Sequence, residues 1–116
     1  NALRIALHPD GLAPRIGNLA QWRAHLIERL RRESAISDSD ALAELLAEID
    51  SYPGGFDESH DLGAVAVPLE LVTTDGRALR FLSMVTTFGT ALDLTAAELS
   101  IEAFLPADDA TAAALR

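Results

Sequence analysis

The chain has 116 residues, a formal net charge of -9 and 49% hydrophobic residues, one domain's worth of sequence with enough apolar material for a core. It contains no cysteine, which excludes a disulfide framework, a thiol nucleophile, an iron-sulfur cluster and a thiolate zinc site. No apolar run approaches the ~18 residues of a membrane span and the start lacks the regions of a signal peptide, so the sequence reads as a soluble, cytoplasmic protein without a membrane partner.

All nine basic residues are arginine, and they are segregated along the chain. Residues 1–33 hold six arginines against Asp10, Glu28 and Glu33, whereas from Ser34 onward three arginines face fifteen acids. An acidic body repels phosphate. If the parent protein regulates DNA, a segment outside residues 1–116 touches it. The opening Asn1-Ala2 reads as a cloning scar ahead of a natural sequence that starts at Leu3, inside a larger protein.

The first element is ambiguous. Leu3, Ile5 and Leu7 alternate as in a strand, while Leu3, Ala6 and Leu7 suit one helical turn. His8-Pro9-Asp10-Gly11 and Pro14 make residues 8–17 a loop, in which His8 stabilises a turn. Asn18 is a good N-cap and Gln21 completes a capping-box pattern, so a helix begins there. Leu19, Trp22, Leu26 and Leu30 form its apolar stripe through about Glu33, with Gln21, His25, Glu28 and Arg32 opposite. The Ser37-Asp38-Ser39 cluster caps a second helix whose Leu42, Leu45, Leu46, Ile49 and Tyr52 share one face. Pro53-Gly54-Gly55 ends that helix, and residues 53–63 read as a mobile loop.

Beyond that loop the period changes to two. Residues 65–72 and 77–88 form a hairpin about Asp75-Gly76, read as a two-residue turn. That turn sets Leu69 opposite Leu82 and Val67 opposite Met84 on the core face, with Glu70 opposite Phe81 on the other. Pro68 places the first strand at a sheet edge. A third strand covers Leu99–Leu105, Pro106 closes it, and Asp108 and Asp109 cap a short helix over Ala110–Leu115. Two helices, three antiparallel strands and a terminal helix make an α+β domain spanning residues 1–116.

No catalytic constellation emerges. His8, His25 and His60 lack metal-ligand spacing, no GxSxG nucleophile turn or phosphate-cradling loop is present, and no cofactor is expected. Glu70 and Glu102 would share a site only if the outer strands flank the middle one and both carboxylates point the same way; on half-buried strands such alternate polar residues ordinarily face solvent. The least ordinary residue is Arg23, about 40° from Leu19 on the helical wheel and inside the apolar stripe. Its guanidinium needs a partner. Glu70, Glu102 or backbone carbonyls at a helix end would serve, and so would the carboxylate of a ligand lying between the first long helix and the sheet.

The segments His8-Pro9-Asp10-Gly11-Leu12, Asn18-Leu19-Ala20-Gln21-Trp22-Arg23-Ala24-His25-Leu26, Glu28-Arg29-Leu30-Arg31-Arg32 and Phe104-Leu105-Pro106-Ala107-Asp108 resemble the C-terminal ligand-binding domain of MmyB-like bacterial transcription regulators. In that family an Xre-type helix-turn-helix precedes a PAS-like sensory domain. The resemblance implies that this chain is the later, sensory part of such a regulator, lacking both the DNA-binding domain and the short opening stretch that forms the pocket's other wall. It also implies a regulatory rather than enzymatic role and a small apolar, fatty-acid-like effector. The expected ligand-binding residues are Trp22, Arg23, Leu26, Leu69, Leu82 and Met84. A homodimer is the expected assembly, and a ligand-free dimerisation or interaction module, using Val72, Leu79, Phe81 and Val85, is the rival reading.

Overall fold

A computed structural model describes residues 2–37, 39–57, 67–87 and 100–116. Their order is α1 (Ala2–Leu7), a single 3-10 turn (Ala13–Arg15), α2 (Leu19–Ser37), α3 (Asp40–Ser51), β1 (Leu69–Val72), β2 (Ala78–Thr87), β3 (Ser100–Pro106) and α4 (Asp109–Ala114). The class is α+β, as the sequence order implies. The strands form one antiparallel sheet in the order β1-β2-β3, with β1, which Pro68 immediately precedes, at its edge. The ambiguous opening segment is a helix because burial follows a helical period: Leu7 is buried and Leu3 packs on the core, whereas Ile5 stays exposed.

The core is built by α2 and its neighbours. Trp22, Leu26, Ile27 and Leu30 of α2 meet Leu45 and Ile49 of α3, with Leu7, Ile16, Val67 and Leu69 completing the buried cluster. The Ser39 hydroxyl caps α3 by accepting from Leu42 N at 3.4 Å. At the other end of the chain an Asp108 carboxylate oxygen accepts from Thr111 N at 2.7 Å and starts α4. Hydrogen bonds from Thr111 hold the Asp108 carboxyl below its ordinary range.

Asn18 departs from its expected role. Helix α2 does begin beside it, with Trp22 N donating to Asn18 O at 2.9 Å and the side-chain Nδ2 donating to Gln21 Oε1 at 3.0 Å, but the side-chain oxygen serves β1 and not a first-turn amide. Its Oδ1 accepts from Glu70 N at 3.0 Å and its Nδ2 donates to Pro68 O at 2.6 Å. A side-chain amide carries the same donor and acceptor as a peptide group, so Asn18 pairs with β1 as a neighbouring strand would. Together with Gly17 N donating to Glu70 O at 2.7 Å, it covers an edge that would otherwise expose unpaired backbone groups.

The hairpin register differs from the expected one by a single residue. Leu69 pairs with Phe81, Glu70 with Arg80 and Leu71 with Leu79. The cause lies in the turn. Thr73 N donates to Arg77 O and Gly76 N to Thr73 O, at 2.8 and 3.0 Å, so the loop is the three residues Thr74-Asp75-Gly76. Gly76 takes φ +86°, the left-handed residue that closes a three-residue hairpin loop. Thr73 selects this loop by accepting Arg77 N on its hydroxyl at 3.0 Å. Because strand side chains alternate, a one-residue change exchanges the faces. The inner face carries Leu69, Leu71, Leu79 and Phe81, and Leu82 and Met84 lie on the outer one.

Candidate functional site

The same register propagates into β3, where Phe81 pairs with Pro106, Ser83 with Phe104 and Val85 with Glu102. Glu102 and Phe104 therefore point to the inner side, toward α2. Between that face and the helices lies a cleft of about 300 Å³ lined by Ala2, Leu3, Ile5 and Ala6 of α1, by Leu12 of the loop after it, by Trp22 and Leu26 of α2, by Leu69 of β1, and by Glu102 and Phe104 of β3. Its volume is at the lower end of the range for small-molecule pockets, roughly 300–1,000 Å³, and its composition is also typical: an apolar lining with very few polar groups. Ile5, Leu12 and Phe104 remain 64, 37 and 46% exposed. Apolar side chains on the wall of a cleft that are neither packed nor turned away gain when an apolar molecule covers them.

Each wall is held by a separate device. The edge of β1 is fixed by Asn18. Helix α1 is anchored to α3 by Arg4, which bonds Glu48 through its Nε; that bond holds the Glu48 carboxyl below its usual range. The turn after α1 is closed by His8, whose Nδ1 accepts from Asp10 N at 3.0 Å and whose ring stands edge-on to Tyr52, 5.1 Å between centroids. His8 thus fills the turn-stabilising role read from the sequence.

Of the residues expected at a ligand site, Trp22, Leu26 and Leu69 come together in the cleft. Arg23 does not. Its guanidinium points to the C-terminal end of α3, where NH1 donates to Gly55 O at 2.6 Å and NH2 to Asp50 O at 2.8 Å. The last carbonyls of a helix lack intrahelical donors and carry the negative end of its dipole, so Arg23, 6% exposed, closes α3 from within the core. Leu82 and Met84 are on the outer face for the register reason above. Glu70 and Glu102 are on opposite faces, and Glu70 is paired with Arg80 at 3.1 Å, so the arrangement holds no carboxylate pair. His60 lies outside the described residues, among which no cluster of His, Asp or Glu could hold a metal ion.

The cleft residues that the sequence did not single out are those of α1 and Leu12, while Glu102 reads there as a strand carboxylate and not as part of a ligand site. Strand β3 alternates Ile101, Ala103 and Leu105 with Ser100, Glu102 and Phe104, and hydropathy alone assigns the first set to the core. Thr73 placed three residues before Gly76 was the available signal for the longer loop, which turns the second set inward.

The sequence model of the MmyB-like transcription regulator ligand binding domain matches residues 1–116, the whole chain. The chain belongs to that family. No curated protein and no solved structure matches it. As an MmyB-like domain it is a regulatory ligand-binding domain of a transcription regulator, from a family of regulatory domains and not of enzymes. An apolar cleft suits that role, and no helix among the described residues is long and apolar enough to cross a membrane.

Proposed function

We propose that this domain senses a small apolar effector bound in the cleft between α1, α2 and the inner sheet face, and passes its occupancy to a DNA-binding segment of the same regulator. The observation that carries the reading is the cleft's lining, which joins buried core residues (Trp22, Leu26, Leu69) to exposed apolar ones (Ile5, Leu12, Phe104). An effector there touches α1, α2, β1 and β3 together. It acts as a switch by favouring the packing in which those elements close on it over the packing in which they do not.

Trp22 is the chain's one tryptophan and lines the cleft, so its emission reports occupancy. Titration with decanol is expected to give a saturable change in Trp22 fluorescence. Ala6→Phe, which fills the space between α1 and α2, is expected to weaken that binding at least tenfold, because a ligand of this size loses most of its contacts when a ring occupies the site. A wild-type response that does not saturate overturns the reading.

A second reading has its own observation. Leu82, Met84, Ile101 and Leu105 are all substantially exposed on the outer face, and together they form an apolar surface of the kind that self-associates. In this reading the domain is a dimerisation module and a second copy covers that face. Sedimentation of the wild type would then show a concentration-dependent dimer that Met84→Glu dissociates, whereas a monomer at all concentrations removes it.

A further inference from the structure

The turn after α1 is built on a nitrogen that has to be free of its proton. Asp10 N donates to His8 Nδ1 at 3.0 Å, and a ring nitrogen accepts only in the neutral imidazole, because both nitrogens of the imidazolium are donors. That bond shapes a short loop lying directly on the last turn of α1. Gly11 N donates to His8 O at 2.9 Å and Leu12 N to Ile5 O at 3.0 Å, and the approach is so close that a Cβ on Gly11 would stand 2.1 Å from Ile5 O. Ile5 and Leu12, which the last of these bonds joins, both line the cleft. The charge state of one half-buried imidazole is thereby connected to the cleft's roof.

The groups facing His8 decide where a charged ring would go. Arg4 lies one turn earlier on α1, its carbonyl accepting from His8 N at 3.0 Å, and Asp10 follows in the loop. From α3 come Tyr52, whose ring stands edge-on to that of His8, and Glu48, whose ionised form a charged His8 favours. Among these groups Arg4 opposes a charge on the ring, and Arg4 is itself engaged by Glu48. Protonation therefore sets two donors against each other, Nδ1–H and the Asp10 amide, while two carboxylates offer the ring a better direction. We infer that His8 is a pH-sensitive latch: neutral, it holds the turn closed on α1 and keeps the cleft's roof in place; protonated, it leaves the Asp10 amide and loosens both. The step from turn to effector rests on the cleft being the effector site, and the latch itself does not. Its hold is complete while the imidazole is neutral and fades as the pH falls through the range in which imidazoles gain a proton, about pH 8 to 5.

Amide exchange followed by nuclear magnetic resonance tests the latch without any ligand. After correction for intrinsic exchange, protection of the Gly11 and Leu12 amides is expected to fall about fivefold between about pH 7.5 and 5.5, the worth of one modest hydrogen bond, while the Leu45 and Ile49 amides inside α3 keep theirs. His8→Asn supplies a side-chain oxygen that accepts from the amide two residues on and does not titrate, so its loop should hold its protection within twofold. A wild-type loop whose protection does not change overturns the latch whatever the variant does. A fall that survives His8→Asn also overturns it, because the titrating group is then another, such as Glu48 or Asp10. So does a fall shared by Leu45 and Ile49, since acid then loosens the whole domain. Decanol affinity is best measured by calorimetry, because the His25 ring lies 5.4 Å from that of Trp22 and its titration disturbs the emission. That affinity should weaken at least threefold over the same range in the wild type and stay constant in His8→Asn. Lost loop protection with an unchanged, saturable affinity overturns the connection to the cleft. Decanol binding that never saturates overturns the cleft reading, and the exchange result then decides the latch alone.

Discussion

Helix α2 has two working sides, and they are finished differently. Toward α3 it is closed: Ile27 and Ile49 are fully buried, and the two terminal nitrogens of the buried Arg23 reach backbone carbonyls, its Nε alone being left unpaired. Toward the sheet it is left open: Trp22 and Leu26 face a cleft, and the charge across it, Glu102, meets Arg29 of α2 in an ion pair of 3.5 Å. An ionised group in an apolar setting is therefore not in itself a sign of a binding site. What separates the two is the supply of partners. The end of a helix offers backbone acceptors to a guanidinium at no further cost, whereas a strand's backbone groups are engaged in the ladder, and its carboxylate has to draw on a side chain of α2, Arg29 at 3.5 Å.

The most forceful way to break this contrast is to remove Arg23. Arg23→Met keeps most of the packed alkyl length but leaves the carbonyls of Asp50 and Gly55 without their donor, and a loss of about 2–4 kcal/mol in urea unfolding is expected. Where the variant is folded, its affinity for decanol in the cleft should match the wild type. The opposite pattern, near-normal stability with an affinity reduced tenfold, would move Arg23 from the α3 side to the cleft.

Asn18 tests the open side, because it holds the strand that carries Leu69. Asn18→Ala removes the bonds to Pro68 O and Glu70 N and is expected to cost about 1–2 kcal/mol. Hydrogen exchange should accelerate first at the Glu70 amide, which loses its acceptor, with little change at α3. If protection falls equally throughout, β1 and the helical core form a single cooperative unit, and the two sides of α2 are less independent than their packing implies.

How far the sequence carries this contrast depends on the kind of signal. The long helices were legible because apolar residues repeat at 3.6, and the placement of Arg23 inside the stripe was legible from the same geometry. That it meets carbonyls was one of several open partners, since a guanidinium's neighbours come from chain segments brought together only by folding. The sheet was legible as strands and as an edge, but its faces were not. Both Asp75-Gly76 alone and Thr74-Asp75-Gly76 make good hairpin loops, and choosing between them moves Leu82 and Met84 out and Phe81 in. Strand β3 misled for a related reason: Ile101 and Leu105 are more regularly apolar than the Glu102 and Phe104 that face the cleft, and an alternating pattern indicates core only where the apolar face is the covered one. Asn18 misled in another way, since the same amide that caps a helix can pair with a strand, and only the approach of β1 decides.

The smallest expected effect concerns the roof of the cleft. Helix α1 is six residues long, too short to hold its shape without tertiary support, and its bond from Arg4 to Glu48 ties it to α3. Because that hydrogen bond lowers the Glu48 pKa in the folded chain, its contribution is complete above the ordinary carboxylate range and is lost as the pH falls through the lowered folded value. Glu48→Gln should therefore weaken the wild type's probe affinity only slightly at neutral pH, through a looser α1, and the two proteins should converge as the medium is acidified. Both ends of the pair are at the surface, where screening is strong, so added salt should narrow the difference as well. Convergence in acid together with convergence in salt assigns the effect to the Arg4–Glu48 pair. No difference at any pH or salt concentration would mean that α1 is held by the burial of Leu3 and Leu7 alone, and the cleft's roof would then belong with the closed side of α2 and not with the open one.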